Sequence, residues 1–187
     1  MPSKKVDASP VYQLKVTLKD SKPPIWRCIQ VRGSTTFARL HDILQITMGW
    51  TDSHLHQFIV RNEYYGVPNP GWDMEVKDER RVKLEQLVAG VKDRFIYEYD
   101  FGDSWAHAIL VEKMLTPEPG VKYPVCLTGK RACPPEDVGG IWSYDDFMAA
   151  VRDPAHPEHE MYTDWIGGSF DPEAFDLEAV NQQLRQL

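Results

Sequence analysis

Two segments of this chain alternate apolar and polar residues on both sides of a turn, and this pattern constrains the fold more than any other feature. The first segment joins VYQLKVTLKD to IWRCIQV through SKPP, and the second is RFIYEYDFGDSWAHAIL at residues 94–110. A period of two puts successive side chains on opposite faces of a strand, and turn residues between two such runs predict a hairpin. Both hairpins are expected to join one antiparallel sheet.

Helical patterns separate and follow these hairpins. The segment STTFARLHDILQITMGW repeats apolar residues at helical spacing and ends at Gly49, which suits the left-handed residue after a helix. A further strand is predicted over about residues 54–61, and helices over SYDDFMAAVRD, PEHEMYTDWIG and DPEAFDLEAVNQQLRQL. We therefore predict an α+β fold: a mostly antiparallel sheet of about five strands, one helix after the first hairpin, and a C-terminal group of three helices.

The length of 187 residues is typical of one domain, so residues 1–187 are assigned to a single domain. Residues 1–9 are expected to be flexible. Residues 116–140 hold five of the fourteen prolines and four glycines, and they are predicted to form a long irregular loop. Three cysteines without a disulfide pattern, and no apolar run long enough for a signal peptide or a membrane span, favour a cytoplasmic protein.

Charge is distributed unevenly along the chain. The net charge is −7, with 15 basic and 12 acidic residues before residue 100 but only 6 basic and 16 acidic residues from there onward. A nucleic-acid interface needs clustered Lys and Arg. Neither nucleic acid nor a membrane is therefore expected as a partner, and a small molecule or protein with cationic or hydrogen-bond-donating groups is favoured.

The second hairpin gathers polar and aromatic groups at its tip. A two-residue loop at Gly102 and Asp103 would pair Asp100 with Trp105 and Glu98 with His107, on a face separate from the core. An imidazole beside carboxylates can act as a base, an ion partner or a metal ligand. The alternative is a half-exposed face with one cross-strand pair, and a slip of one residue would exchange the two faces.

The sequence PPED at residues 134–137 is a second acidic element, and we refer to this segment as the PPED loop. Gly139 and Gly140 follow it and permit positive φ just before a helix. We predict a ligand- or protein-binding module whose polar site lies where the hairpin meets this PPED loop and is formed by Asp100, Asp103, Trp105, His107, Glu136 and Asp137. The alternative is a rigid loop whose acids complement the dipole of the following helix.

Histidines suggest a second possibility for the site. His54 and His56 are two apart in a strand and share a face, and with His107 they would supply three nitrogen ligands. The second hypothesis for the function is therefore a metal-dependent hydrolase that uses these histidines to bind Zn²⁺ or a similar divalent ion. Strand histidines two apart are more often surface or core residues, and the sequence leaves open whether any reaction is catalysed.

Six motifs are distributed along the chain: RLHDILQITMGW, HLHQF, YDFGDSWAH, CLTGKRACPPEDVGG, HPEH and GGSFDPEAFDLEAVN. Together they resemble the plasmid pRiA4b ORF-3-like family over nearly the whole chain. The resemblance implies an α+β domain without an assigned activity. Some members are labelled resolvase-like passengers of insertion elements, which implies a mobile-element context and a third hypothesis, nucleic-acid binding without recombinase chemistry. The chain lacks the serine or His-x-x-Arg patterns of recombinases, and Val138 replaces a cysteine of the family's loop, which weakens any metal or redox role of that cysteine.

Overall fold

The structure is a computed structural model that describes residues 8–71 and 75–187. Its strands are β1 (Val11–Leu18), β2 (Trp26–Arg32), β3 (His56–Val60), β4 (Glu63–Gly66), β5 (Val76–Asp78), β6 (Arg94–Tyr99), β7 (Trp105–Leu115) and β8 (Val125–Lys130). They form one eight-stranded sheet in the order β5-β4-β3-β6-β7-β1-β2-β8. All neighbours are antiparallel except β4 and β5, which are parallel.

Five α-helices accompany this sheet in the described residues: α1 (Phe37–Met48), α2 (Leu84–Leu87), α3 (Gly140–Arg152), α4 (His159–Trp165) and α5 (Leu177–Leu184). The predicted course of α1 is confirmed. Thr36 caps its first turn by accepting from the Arg39 amide at 3.2 Å, and Gly49 ends it at a φ of 101°. None of the helices in the described ranges is long and apolar enough to cross a bilayer.

The predicted sheet of about five mostly antiparallel strands is wrong, because the sheet has eight strands and is mixed. Three of its strands lie in segments with turn-rich or irregular sequences. β4 and β5 border the turn-rich stretch after residue 63, and β8 interrupts the loop predicted over residues 116–140. Such short strands are stabilised by pairing with a neighbour rather than by an alternation of their own. The predicted flexibility of residues 1–9 falls largely on residues 1–7, which lie outside the described residues.

The core lies between one face of the sheet and the helices. Strand β1 is an inner strand between β7 and β2, and its alternate residues Tyr12, Leu14, Val16 and Leu18 are at most 2% exposed. Helix α1 adds Phe37, Leu40 and Leu44 to the same core. The first hairpin, β1 with β2, is confirmed with antiparallel pairing.

The second hairpin exists, but its predicted register is wrong by one residue. Tyr99 pairs with Trp105 and Tyr97 with His107, so the hairpin loop contains the five residues 100–104 rather than two. Asp100 and Ser104, at its ends, adopt positive φ of 57° and 52°. This shift turns Trp105 and His107 onto the core face with Tyr97 and Tyr99, and places Asp100 and Asp103 in the loop beyond the paired ends of β6 and β7.

Candidate functional site

The hairpin loop and the PPED loop are in direct contact. The amide of Gly139 donates to Asp103 Oδ2 at 3.0 Å. Gly140 has a φ of 79°, and a Cβ there would come within 2.5 Å of the carbonyl oxygen of Asp103. The close approach of the two loops therefore requires glycine at position 140.

His54 lies between acids from both loops. Its Nε2 is 3.0 Å from Asp137 Oδ1 in the PPED loop, and its Nδ1 is 3.7 Å from Asp100 Oδ2 in the hairpin loop. The side chain of Asp137 is 65% exposed, whereas that of Asp100 is 11% exposed. His54 Nε2 is buried and has no hydrogen-bond partner in the described residues, although Asp137 Oδ1 is close to it.

Backbone contacts hold this arrangement in place. The amides of Ser53 and His54 donate to the Tyr99 hydroxyl at 2.9 and 3.3 Å. The Asp100 amide donates to the carbonyl of Leu55 at 2.8 Å. Asp100 Oδ1 accepts from the Gly102 amide at 2.9 Å, which leaves Oδ2 on the side of the imidazole.

Glu136, a predicted ligand residue, is engaged in internal contacts. Its Oε1 accepts from the Tyr99 hydroxyl at 2.5 Å and from the Thr51 amide at 3.2 Å. Its Oε2 accepts from the Thr51 hydroxyl at 2.5 Å. Burial and the Glu136 carboxylate raise the pKa of Tyr99 above its usual value. Glu136 therefore acts as a tether between the PPED loop, β6 and the segment after α1.

Trp105 and His107, also predicted ligand residues, lie in the core and are both 0% exposed. Both pack on Trp50, with ring centroids 5.8 and 5.2 Å apart. His107 Nδ1 donates to the carbonyl of Tyr97 at 3.3 Å, while its Nε2 has no hydrogen-bond partner in the described residues. Burial lowers the pKa of His107 to about 4, so this imidazole is neutral near pH 7.

The three histidines predicted as a metal set have separate environments. His107 is in the core, His54 lies between the two loops, and His56 Nε2 is 2.9 Å from Glu79 Oε2. The ring of His56 also stacks on that of His41, with centroids 3.4 Å apart and planes at 4°.

Two other groups in the described residues bring potential ligand atoms within 4.8 Å of one another: His54, Asp100 and Asp137, and His41, Asp52 and His56. The second group is largely used for internal hydrogen bonds. His41 Nε2 contacts Asp52 Oδ1 at 2.8 Å, and the Asp52 amide donates to Gln45 Oε1 at 2.9 Å. Gln45 Nε2 donates to the Tyr97 hydroxyl at 2.9 Å, and that hydroxyl lies 2.8 Å from His41 Nδ1.

These four contacts form a closed ring. Because Asp52 Oδ1 can only accept, His41 carries its proton on Nε2, and Nδ1 of the neutral imidazole accepts from the Tyr97 hydroxyl, to which Gln45 donates. Burial and the neighbouring His56 lower the pKa of His41. This closed ring of hydrogen bonds fixes the segment that leads to His54. The sequence does not predict the hydrogen-bond ring, since Asp52 belongs to no periodic pattern.

Two clefts adjoin these groups. A cleft of about 500 Å³ includes His41, Asp52, His54, His56 and Glu79 in its lining. A smaller cleft of about 290 Å³ is lined by Ser53, His54, Leu55, Asp100, Phe101 and Gly102. His54 borders both clefts, Asp100 lines the smaller one, and Asp137 lines neither.

Comparisons with known proteins agree over most of the chain. The family model described as Plasmid pRiA4b ORF-3-like protein matches residues 10–179. Uncharacterized protein y4hQ of Sinorhizobium fredii (strain NBRC 101917 / NGR234) is 41% identical over 180 residues, which cover 95% of this chain and 92% of that protein. The crystal structure of MM3350, a protein of unknown function from Methanosarcina mazei Go1, is similar with a TM-score of 0.83 and 38% identity, covering 91% of this chain and 97% of that one.

Proposed function

The chain belongs to the plasmid pRiA4b ORF-3-like family, as its motifs predicted, and we propose that it is a binding module that holds a divalent metal ion between the hairpin and PPED loops. The proposed ligands are His54, Asp100 and Asp137. The observation that carries the proposal is the convergence of one imidazole and two carboxylates, with ligand atoms within 4.8 Å of one another.

The spacing of His54 and Asp137 supports an ion. Two ligand atoms at about 2.0–2.2 Å from one tetrahedral ion are about 3.4 Å apart. His54 Nε2 and Asp137 Oδ1 are 3.0 Å apart, somewhat closer than that, and Nε2 has no hydrogen-bond partner in the described residues.

The ligand types narrow the choice of ion. Imidazole nitrogen suits Zn²⁺ and similar transition ions, while carboxylate oxygen also suits Mn²⁺. One nitrogen and two oxygens therefore favour Zn²⁺ or Mn²⁺ over Mg²⁺ or Ca²⁺. Three protein ligands would leave coordination positions for water or for an external ligand.

Metal-dependent hydrolysis is the second candidate function. It is favoured by the small cleft of about 290 Å³ that shares His54 and Asp100 with the proposed ion site. An ion with an open position can activate a water molecule there. This candidate requires the same ion, so an absence of metal binding would exclude both functions.

Calorimetric titration of Zn²⁺ and Mn²⁺ into chelator-treated, untagged protein tests the proposal. We expect one ion per chain, and at least tenfold weaker binding in His54→Gln and Asp137→Asn, because each variant removes one ligand. Asp146→Asn changes an exposed acid of α3 and is the control, which should bind like the unmodified protein. Undetectable binding, or equal weakening in Asp146→Asn, would refute the proposed site.

A further inference from the structure

A cleft outside the proposed ion site has a strongly basic lining. It has a volume of about 480 Å³ and lies where the residues before α1, segment 121–124 and the end of α5 meet. Its charged lining side chains are all basic: Arg32, Arg39, Lys122 and Arg185. The chain as a whole carries a net charge of −7, so this concentration of cations runs against its composition.

Internal contacts engage two of these cations, and Arg32 Nη1 donates to the main-chain carbonyl of Ser9 at 3.4 Å. Arg39 Nη1 pairs with Asp42 Oδ2 at 3.2 Å, and Arg39 Nη2 also donates to the main-chain oxygen of Leu187. The side chains of Lys122 and Arg185 make no hydrogen bond or ion pair with other residues in the described part of the chain. Lys122 and Arg185 therefore carry positive charge that no acid of the described residues offsets.

Additional donors line the same cleft. Thr35 contributes a hydroxyl just before α1, whose first turn contains no acidic residue. The partial positive charge at the start of this twelve-residue helix is therefore not offset by a carboxylate of its own. A concave, positively charged wall concentrates anions more than the same charges on a flat surface would.

The cleft also offers apolar contacts. The guanidinium of Arg32 lies over the ring of Tyr123 at 5.0 Å, which orders both side chains at its rim. Ile43 and Leu184, which are buried, form part of its wall. A ligand with an anionic head and an organic body would find partners for both parts.

We propose that this cleft binds a small phosphorylated molecule through Arg32, Arg39, Lys122 and Arg185. Several cations around one cavity suit a group that carries more than one negative charge, and guanidinium forks and hydroxyls match the oxygens of a phosphoryl group. The volume fits a small molecule rather than a polymer. His54, Asp100 and Asp137 do not line this cleft, so the inference is independent of the ion site.

Titration of inorganic pyrophosphate into chelator-treated protein at low ionic strength tests this inference. We expect one molecule bound per chain, with affinity that falls as salt is added. Arg185→Gln and Lys122→Gln should each weaken binding about tenfold, which corresponds to the loss of one charge-assisted contact. Both positions are exposed, so the variants should fold, and circular dichroism can verify this.

Arg152→Gln is the matched control, since it removes one exposed positive charge outside the cleft. It should bind pyrophosphate within about twofold of the unmodified protein. Absence of binding, or equal weakening in all three variants, would overturn the inference. A single-stranded oligonucleotide that binds more tightly than pyrophosphate, and is lost in the same two variants, would assign the cleft to nucleic acid and would also overturn it.

Discussion

The hydroxyl of Tyr99 donates a hydrogen bond of 2.5 Å to Glu136 Oε1 and thereby joins the end of β6 to the PPED loop. The same hydroxyl accepts from the amides of Ser53 and His54. One side chain of the sheet thus orders both the loop that carries Asp137 and the segment that carries His54. The proposed ion site depends on this connection, although Tyr99 itself contacts no ion.

Tyr99→Phe should destabilise the protein by about 2 kcal/mol, because a hydrogen bond to a charged group is lost. Urea unfolding of Tyr99→Phe, Glu136→Gln and the double variant measures the coupling between the two side chains. We expect the double variant to be less destabilised than the sum of the single variants. Additive effects would show that the two groups are not coupled and that the loops are held by other contacts.

Stability should fall as the solution is acidified from about pH 6.5 toward pH 4. The pKa of His107 is lowered to about 4 in the folded protein, so the unfolded chain takes up its proton first and is favoured as the pH falls. The difference amounts to about 3 kcal/mol. Urea unfolding across this pH range measures it, and His107→Leu should flatten most of the slope.

The buried imidazole of His41, whose pKa is also lowered, should leave a residual slope in His107→Leu. His156→Gln changes a half-exposed histidine near α4 and serves as the control, which should keep the full slope. If the free energy of unfolding of His107→Leu keeps the same dependence on pH, the pKa of His107 is not lowered by folding.

Gly129 in β8 should not tolerate alanine. A Cβ there would lie 2.7 Å from Arg27 Cδ and 2.7 Å from the ring of Phe175. That ring covers the buried Arg27 guanidinium at 4.1 Å, and Arg27 donates to the carbonyls of Trp26, Thr47 and Lys130. We expect Gly129→Ala to cost about 1–3 kcal/mol in urea unfolding, because packed side chains must move.

Gly90→Ala is the matched control, since its nearest neighbour would be 4.0 Å away and its φ does not require glycine. It should change stability by less than about 0.5 kcal/mol. Equal stability of the two variants would mean that Phe175 is not packed on Arg27 in solution.

The elements that the sequence predicted well have local signals. Strands β1 and β2 alternate around a proline break, and α1 has both a cap residue and a terminal Gly49, so each pattern contains its own boundaries. Strands β4, β5 and β8 lack such signals. Their stability depends on pairing with a neighbour, which is a property of the assembled sheet.

The predicted register of the second hairpin is wrong for a different reason. Gly102 after Phe101 predicts a two-residue turn, but Asp100 accepts from the Gly102 amide and adopts a positive φ, which stabilises a five-residue loop. A single residue of register then moves Trp105 and His107 into the core. Asp100, Asp137 and His54 were each considered from the sequence, but their meeting depends on how the loops pack.

Anomalous diffraction from crystals grown with Zn²⁺ tests the ion site most directly. We expect one strong zinc peak about 2.0–2.2 Å from a nitrogen of His54 and from carboxylate oxygens of Asp100 and Asp137. That peak should disappear in Asp137→Asn. A peak between His41 and His56 instead, or no peak beside His54, would contradict the proposal.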